Sequence, residues 1–493
     1  MEKKERSLAI IQAFLVALLV FFGFQFFFGH KNKEGETPKK ALKTVDVSSY
    51  KDIVPSREVG KVVYVETPLY KAEISTVNGK LISLYVKKYK AQLVSDSSKR
   101  FGIYPLMTVS SDEKLNKELS AVQLTPSRER LSVSDKPETL TLRGELPGGT
   151  PFVKRLTFYP DSYKIKVETE CGGKPIETIV GLDIKVNEAH TSRMGHIGPV
   201  VETVEKVFRL KPEDIQGFVS FNNVLWAGEE DKYFLMAVKS QKFNAVVEKL
   251  PPNHTFVRNF VSKALFYGGP KELKQLEELG MDSAIDFGIF GFLAKPLLEL
   301  FLFLHKFIPN WGLLIIVFTL LIKLLLHPLT HKSFVSMKKM QEIAPKLEEI
   351  KKKYGNDPQK LQEETMKLYR EVGVNPASGC LPMLAQIPIF LALYEIFLNA
   401  VELKGASFLW IKDLSVPDPT YALPILMGLS MIAQQLVTPT TNKQQKYMFI
   451  GMAVLFTFLF ANFPAGLVLY WFTNNVITAL QNLIIMKLTK KAE

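Results

Sequence analysis

Cysteine is scarce in this chain of 493 residues, which contains only Cys171 and Cys380. The first lies in a polar region and the second in an apolar run, so a disulfide between them is not expected. The sequence also lacks a glycine-rich phosphate loop, metal-ligand spacing and a recognisable acid/base pair of carboxylates. We therefore expect no metal, no cofactor and no enzymatic activity.

Charge and hydropathy point to a membrane. The net charge is +13, and 47% of the residues are hydrophobic, among them 35 phenylalanines. A basic balance of this kind suits nucleic acid, anionic lipid or the ribosome. Long apolar runs favour charge concentrated in loops beside a bilayer, so we expect lipid contact and no specific nucleic-acid partner.

The first half of the chain combines an anchor with a β-rich domain. A basic head precedes the apolar run from Ser7 to Phe28, which exceeds the roughly 7–15 residues of a cleaved signal peptide and predicts an uncleaved anchor. Alternating runs then follow, such as LYKAEIST and LISLYVKKY on either side of VNGK. An Asn-Gly turn between alternating runs predicts antiparallel hairpins and, over this length, a β-sandwich.

Five further apolar runs occupy the last third of the chain. They extend from Trp311 to Leu329, Leu381 to Ala400, Tyr421 to Val437, Tyr447 to Ala461 and Leu467 to Met486. The run from Ile285 to Lys306 competes as a span, but it would place a loop with ten Lys or Arg outside the cell. The positive-inside rule instead predicts that this run is an amphipathic helix on the outer surface.

The predicted fold is a polytopic α-helical membrane protein with six transmembrane helices, five of them forming a core, and an extracytoplasmic β-sandwich domain. Both termini are predicted to be cytoplasmic. The predicted boundaries are 1–28 anchor, 29–56 linker, 57–284 β domain, 285–308 interfacial helix, 309–329, 377–401, 420–438, 445–462 and 465–487 transmembrane helices 2 to 6, 330–376 cytoplasmic helical hairpin and 488–493 tail.

Lys323 is the most informative residue, because it lies inside an apolar run. It is either a lysine that snorkels to the inner headgroups or a charge that faces a wet cavity. Several polar residues in the runs favour a shared lining, although each alone fits an interhelical hydrogen bond. They are Thr319, Gln386, Gln434, Gln435, Tyr470, Thr473, Asn474, Asn475 and Gln481.

Other charged or metal-binding residue types carry weaker signals. Glu395 lies about 12 Å along the bilayer normal from Lys323, so we expect no ion pair between them. His327 and His331 have the spacing of a metal pair, but Pro328 lies between them and no third ligand is evident. Interfacial histidines explain the pair.

The cytoplasmic loop is predicted to be a helical hairpin. Gly355 suits a C-cap, Asp357 an N-cap and Pro358 a first helical position, while Pro345 should bend the first helix. The hairpin is either a solvated amphipathic pair or a paddle that contacts client segments. The client-contact residues would be Met337, Met340 and Tyr354, since methionine adapts to varied apolar partners.

Four stretches resemble the YidC family of bacterial membrane protein insertases. They are NWGLLIIVFTLLIKLLLHPLTHKSFVSMKKM, GVNPASGCLPMLAQIPIFLALYEIF, YALPILMGLSMIAQQLVTPTT and FPAGLVLYWFTNNVIT. The resemblance implies a five-helix core in the bacterial inner membrane, with a hydrophilic groove open to the cytoplasm and a periplasmic β domain. It also implies that a groove arginine is replaced here by Lys323, which keeps the charge and loses the bidentate fork.

The resemblance further implies a mechanism and partners. A weakly polar client segment would enter a groove lined by Lys323, Thr319, Gln434, Gln435, Tyr470 and Trp471, and the client's apolar helix would then leave into lipid. The implied partners are nascent membrane proteins, the Sec translocon and lipids. The ribosome stays open, because the tail KLTKKAE offers little basic length.

Two alternatives come from other functional classes. A solute or ion transporter would suit an intramembrane charge and the proline-broken helix at Pro382 and Pro388, but the chain lacks matching halves. A membrane-anchored carbohydrate-active enzyme would suit the β domain, which resembles sugar-binding and mutarotase domains. It would need the carboxylate pair that the sequence does not offer.

Overall fold

The computed structural model describes residues 53–184, 195–373, 381–439 and 443–492. The predicted anchor at 1–28 and nearly all of the predicted linker at 29–56 lie outside these ranges. The described residues form a β-rich unit that ends at Asp286 and a helical unit that starts at Phe287.

The β-rich unit contains two sheets. The smaller sheet has the strand order β4-β3-β2-β1-β7, and the larger has the order β13-β12-β14-β15-β17-β10-β9-β8-β6, with β16, β11 and β5 joined beside β15. The strands of the smaller sheet are β1 Val62–Glu66, β2 Tyr70–Ser75, β3 Leu81–Val86, β4 Ala91–Gln92 and β7 Arg130–Ser132. Those of the larger are β5 Thr108–Val109, β6 Thr125–Pro126, β8 Glu138–Leu146, β9 Thr150–Phe158, β10 Lys164–Cys171, β11 Glu177–Val180, β12 Gly198–Thr203, β13 Val207–Arg209, β14 Phe218–Glu230, β15 Phe234–Leu250, β16 His254–Asn259 and β17 Lys263–Pro270.

The two sheets contact each other through apolar and aromatic side chains. The rings of Tyr70 and Tyr163 stack at a centroid distance of 6.2 Å. Gly268 in β17 leaves room for Leu84 in β3, since a Cβ added at Gly268 would lie 2.5 Å from the Leu84 Cδ2 atom. A β-rich domain was therefore predicted correctly from the alternation of the sequence.

The Asn-Gly turn between β2 and β3 is confirmed and is buried. Asn78 and Gly79 both have φ of +64°, a left-handed conformation that asparagine and glycine tolerate, within the five-residue connection between Ser75 and Leu81. The Asn78 Nδ2 group donates to the Thr108 and Leu119 carbonyls at 2.7 and 2.8 Å. The Lys154 ammonium donates to the carbonyls of Asn78 and Leu106, and burial lowers the pKa of Lys154 to about 7. The turn is thus a core feature, which its sequence did not reveal.

Two details of the β-rich unit differ from the sequence pattern. The alternating runs DKYFLMAVKS and FNAVVEKL each predict a strand, but both contribute to the single 17-residue strand β15. Three short helices also occur: α1 Asp96–Phe101, α2 Glu113–Ala121 and α3 Leu273–Glu278. The short polar run PKELKQLEELG predicts α3, whereas α1 and α2 were not predicted from the sequence.

A buried ion network stabilises the larger sheet. Arg258 is 0% exposed. Its guanidinium donates to both carboxylate oxygens of Glu177 at 2.7 and 3.0 Å and to Glu248 at 2.6 Å. The two carboxylates around the guanidinium compensate for the desolvation of the arginine.

The first helix of the helical unit, α4, packs on the second, α5. Its helices are α4 Gly291–His305, α5 Trp311–Leu325, α6 His327–Glu342, α7 Ala344–Tyr354, α8 Pro358–Val372, α9 Leu381–Asn399, α10 Ala422–Val437, α11 Lys443–Phe460 and α12 Ala465–Ala492. Phe301 of α4 lies 4.3 Å from Phe318 of α5 and 6.3 Å from Phe397 of α9, as centroid distances. α12 packs along α5 and α10, and α10 also packs on α11.

The described residues include shorter apolar helices within α9, α10 and α11. None of their helices is by itself long and apolar enough to cross a bilayer, whereas α5 and α6 pass together as a pair bent by 63°. The break lies at Leu326, and Pro328 occupies the first turn of α6, a position that proline tolerates. The number of spans stays a prediction.

The hairpin elements follow their predicted capping residues. Asp357 accepts a hydrogen bond from the Lys360 N–H at 3.1 Å, and Pro358 opens α8. Gly355 is the C-cap of α7, with φ of −60°. Pro345 lies in the first turn of α7, directly after the interruption at Ile343. The predicted caps at Gly355 and Asp357 and the helix start at Pro358 are confirmed, whereas a bend at Pro345 stays a prediction.

We expect Gly312→Ala to destabilise the helical unit by about 1–3 kcal/mol, the usual cost of overpacking. A Cβ at Gly312 would lie 2.1 Å from the Phe408 ring, which it would have to displace. Gly451→Ala is the matched control, because its Cβ meets nothing within 4 Å. Thermal unfolding in detergent tests this, and equal melting temperatures for the two variants would contradict it.

Candidate functional site

Helix α5 directs Lys323 into the helical unit. The residue is 6% exposed and shares a buried face with Thr319, one turn earlier. The other face of α5 carries Leu321, Leu324 and Leu325, which are 47%, 59% and 74% exposed. An apolar exposed face opposite a buried charge is typical of a helix that separates lipid from a polar interior.

Gln386 of α9 connects Lys323 to α12. Its Oε1 atom accepts from the Lys323 ammonium at 3.3 Å. Its Nε2 group donates to the Tyr470 hydroxyl and to the Asn474 Oδ1 atom, both at 2.7 Å. No carboxylate in the described ranges lies within ion-pair distance of Lys323. The Lys323 ammonium therefore has a neutral amide oxygen as its partner, which lowers the burial cost of the charge without neutralising it.

The remaining predicted lining residues from α5 and α10 lie in different settings. Thr319 donates to the Ile315 carbonyl of its own helix at 2.6 Å. Gln434 is half-buried, and its backbone carbonyl accepts a hydrogen bond from the Thr438 hydroxyl. The Nε2 atom of Gln435 is buried without a hydrogen-bond partner in the described part of the chain. Of the residues that the family resemblance implied for the groove, only Tyr470 is joined to Lys323 through an observed hydrogen-bond chain.

Trp471 lies in an aromatic cluster. Its ring centroid is 4.8 Å from Phe390, 6.5 Å from Phe456 and 5.2 Å from Phe460. Consecutive helical residues point about 100° apart, so Trp471 diverges from Tyr470. The cluster joins α9, α11 and α12 beside the polar residues.

Polar contacts also connect α10 with α12. Asn475 donates to the Ser430 hydroxyl at 3.0 Å, and Asn482 donates to the Thr438 hydroxyl at 3.0 Å. The two contacts are seven residues apart on α12, which places them on one face. They fix the rotation of α12, and with it the direction of Tyr470.

The three predicted client-contact residues of the hairpin differ in their packing. Met340 packs against Ile343 and Leu368, the two buried residues of a small core shared by the hairpin helices. Met337 is half-buried. The half-buried Tyr354 ring faces the ammonium groups of Lys353 and Lys360 at 5.2 and 5.7 Å. Client contact at these residues stays a prediction.

Hydrogen exchange should be faster in α7 and α8 than in α5 and α12. The hairpin core has two buried residues, so little apolar burial opposes local opening. Mass spectrometry of the detergent-solubilised protein measures this difference. Protection of the hairpin amides equal to that of α12 would contradict the prediction.

Glu395 lies far from the polar cluster around Gln386. Its carboxylate packs against Gly288, where a Cβ would lie 2.9 Å from the Glu395 Oε1 atom. Gly288 has φ of +59°, a conformation that glycine adopts without strain. His327 and His331, the other pair considered, have ring centroids 6.2 Å apart.

Comparisons with known proteins cover both units. The family described as 60Kd inner membrane protein matches residues 303–492, and the YidC periplasmic domain matches residues 62–300. The membrane protein insertase YidC of Aquifex aeolicus (strain VF5) is 37% identical over 431 residues, which cover 87% of this chain and 83% of that protein. The chain belongs to the YidC family of membrane protein insertases.

Other YidC proteins match at similar levels. The membrane protein insertase YidC of Geobacter metallireducens is 34% identical, with 98% of each chain covered. A solved structure described as an active YidC insertase with its first transmembrane domain resolved has a TM-score of 0.40 and 23% identity, covering 87% of this chain and 94% of that chain. The family resemblance predicted from the four sequence stretches is confirmed, and these relatives are inner-membrane insertases.

Within this YidC-family chain, sequence reasoning counted Gln386 and Asn474 as polar lining but did not assign them to the site. The spacing of Gln386 gave no signal, because α9 is apolar around its circumference and does not reveal which side faces α5. Asn474 lies four residues after Tyr470, and that i, i+4 relation could have indicated a shared face.

Proposed function

We propose that this chain inserts nascent membrane proteins through a polar groove formed by α5, α9 and α12, with Lys323 as its charged centre. The observation that carries the proposal is the Lys323–Gln386–Tyr470 chain of hydrogen bonds, which starts on the buried face of the largely apolar helix α5. A lysine facing lipid would cost about 2.5–3.5 kcal/mol on insertion scales. A lysine buried among the helices therefore favours a functional role for its positive charge.

The proposed mechanism reduces the desolvation cost of a client's polar segment. The segment's carbonyls and carboxylates would exchange hydrogen bonds with water for hydrogen bonds with Lys323 and its neighbours. The client's apolar helix would then leave sideways into lipid, driven by its own hydrophobic transfer. This route consumes no nucleotide.

The proposed topology has six spans, both termini in the cytoplasm and the β-rich unit in the periplasm. The loop 330–375 carries ten Lys or Arg, whereas the outer loop 402–420 carries only Lys404 and Lys412. That asymmetry supports the orientation through the positive-inside rule. The proposal includes the Sec translocon as a partner, and the basic exposed face of α7 as the surface available to a ribosome.

Reconstitution into liposomes tests the function. Purified protein should insert a single-span client without nucleotide and without moving ions or small solutes. A flux of solute without client insertion would favour a transporter and overturn the proposal.

We predict that the β-rich unit is dispensable for insertion itself, because the proposed groove lies wholly after residue 310. A variant that lacks residues 60–260 should therefore restore growth when it is expressed in cells depleted of their own insertase. Membrane levels of the shortened protein serve as the control. Total loss of insertion at normal membrane levels would contradict this prediction.

A further inference from the structure

The amide of Gln386 has one orientation consistent with its neighbours. A lysine ammonium has three donors and no acceptor, so the atom of Gln386 that faces Lys323 at 3.3 Å must be the carbonyl oxygen. The NH₂ group then faces Tyr470 and Asn474, each at 2.7 Å. This assignment follows from the hydrogen-bond network.

The orientation of Gln386 determines the hydrogen-bonding role of its two partners on α12. The Tyr470 hydroxyl oxygen and the Asn474 Oδ1 atom both act as acceptors toward Gln386. Each partner also carries donor hydrogens that Gln386 does not use: the hydroxyl hydrogen of Tyr470, which is buried in the described structure, and the Nδ2 group of Asn474. Lys323 adds its two remaining N–H groups. In the described part of the chain, five unused donor hydrogens therefore surround Gln386, against one further lone pair on each of the three oxygens.

We propose that Gln386 is a positioning residue that makes the groove a surface of hydrogen-bond donors, so that the groove selects client segments rich in acceptors, namely carboxylates and unpaired backbone carbonyls. This inference rests on the proposed role of Lys323 in insertion. It adds that selectivity comes from the orientation of neutral groups as well as from the lysine charge.

Gln386→Glu reverses this arrangement with almost no change in volume. A carboxylate cannot donate, so it accepts from Lys323, from the Tyr470 hydroxyl and from the Asn474 NH₂ group. Those donors are then used within the protein, and the lysine charge is paired. Gln386→Met keeps the volume and removes both hydrogen-bonding groups, which leaves Lys323 charged and unpaired.

The experiment compares clients that differ only in their translocated segment, which carries either two aspartates or two asparagines. Insertion rates into liposomes are measured for the unaltered protein, Gln386→Glu, Gln386→Met and the control Gln362→Glu, which adds the same charge at an exposed site on α8. We expect Gln386→Glu to lower the acidic-to-neutral rate ratio about tenfold or more, since hydrogen bonds to charged groups have that strength. Gln362→Glu should leave the ratio unchanged, and Gln386→Met should keep a ratio above one.

The ratio separates positioning from loss of structure, because a damaged fold would slow both clients equally. An unchanged ratio in Gln386→Glu would overturn the inference. If Lys323→Ala lowers the ratio while Gln386→Glu does not, only this inference fails. If Lys323→Ala inserts both clients at the unaltered rate, the proposed function of Lys323 fails first.

Discussion

Lys323→Ala should lower insertion of clients with acidic translocated segments about tenfold or more and affect neutral clients less. The substitution removes the only charge of the Gln386 cluster, and a hydrogen bond to a charged group is worth about 1.5–3 kcal/mol. Lys323→Arg should retain insertion, because the proposed role needs a positive charge rather than a particular fork. Insertion into liposomes by purified variants measures both effects.

The Lys323 variants require a folding control, since a buried residue is being changed. Lys323→Ala should melt at or above the temperature of the unaltered protein, because removing a buried charge relieves desolvation. Normal insertion of every client by Lys323→Ala would mean that the lysine only snorkels to the interface.

Arg258→Met should destabilise the β-rich unit by about 3–5 kcal/mol, the usual cost of breaking a buried ion pair from one side. The substitution leaves the Glu177 and Glu248 carboxylates, 3% and 17% exposed, without their guanidinium. Hydrogen exchange of β11, β15 and β16 in the full chain reports the loss.

Arg155→Met is the matched control for Arg258→Met. Arg155 pairs with Glu170 at 2.8 Å, but the two side chains are 35% and 54% exposed. An exposed pair of this kind contributes about 0–1 kcal/mol. Equal exchange rates in the two variants would contradict the central structural role of the Arg258 network.

Local sequence signals predicted local structure well. The Asn78–Gly79 turn, the Asp357 N-cap and the Pro358 helix start all follow from the backbone preferences of single residues. Burial of the turn was not predictable, because it depends on carbonyl contacts from Lys154, which is 76 residues away from Asn78 in the chain. Contacts at that separation leave no trace in a local pattern.

The candidate site also combines features that a local sequence pattern reveals with features that depend on tertiary packing. The position of Lys323 in an apolar run was sufficient to select it, since few side chains are so costly there. Its partner Gln386 was not predictable, because pairing requires the rotation of α9 about its axis, which tertiary packing determines. Trp471 illustrates the converse: it was expected beside Tyr470, and the structure places it among Phe390, Phe456 and Phe460.

Disulfide crosslinking to a stalled client tests the central claim, that a client's polar segment passes Gln386 and Lys323. In a chain carrying Cys171→Ser and Cys380→Ser, a single cysteine is introduced as Gln386→Cys or, as the control, Leu325→Cys on the exposed face of α5. A client with one cysteine in its translocated segment should crosslink strongly at position 386 and weakly at position 325. Crosslinking that is equal at the two positions, or stronger at 325, would contradict a polar route through the helical unit.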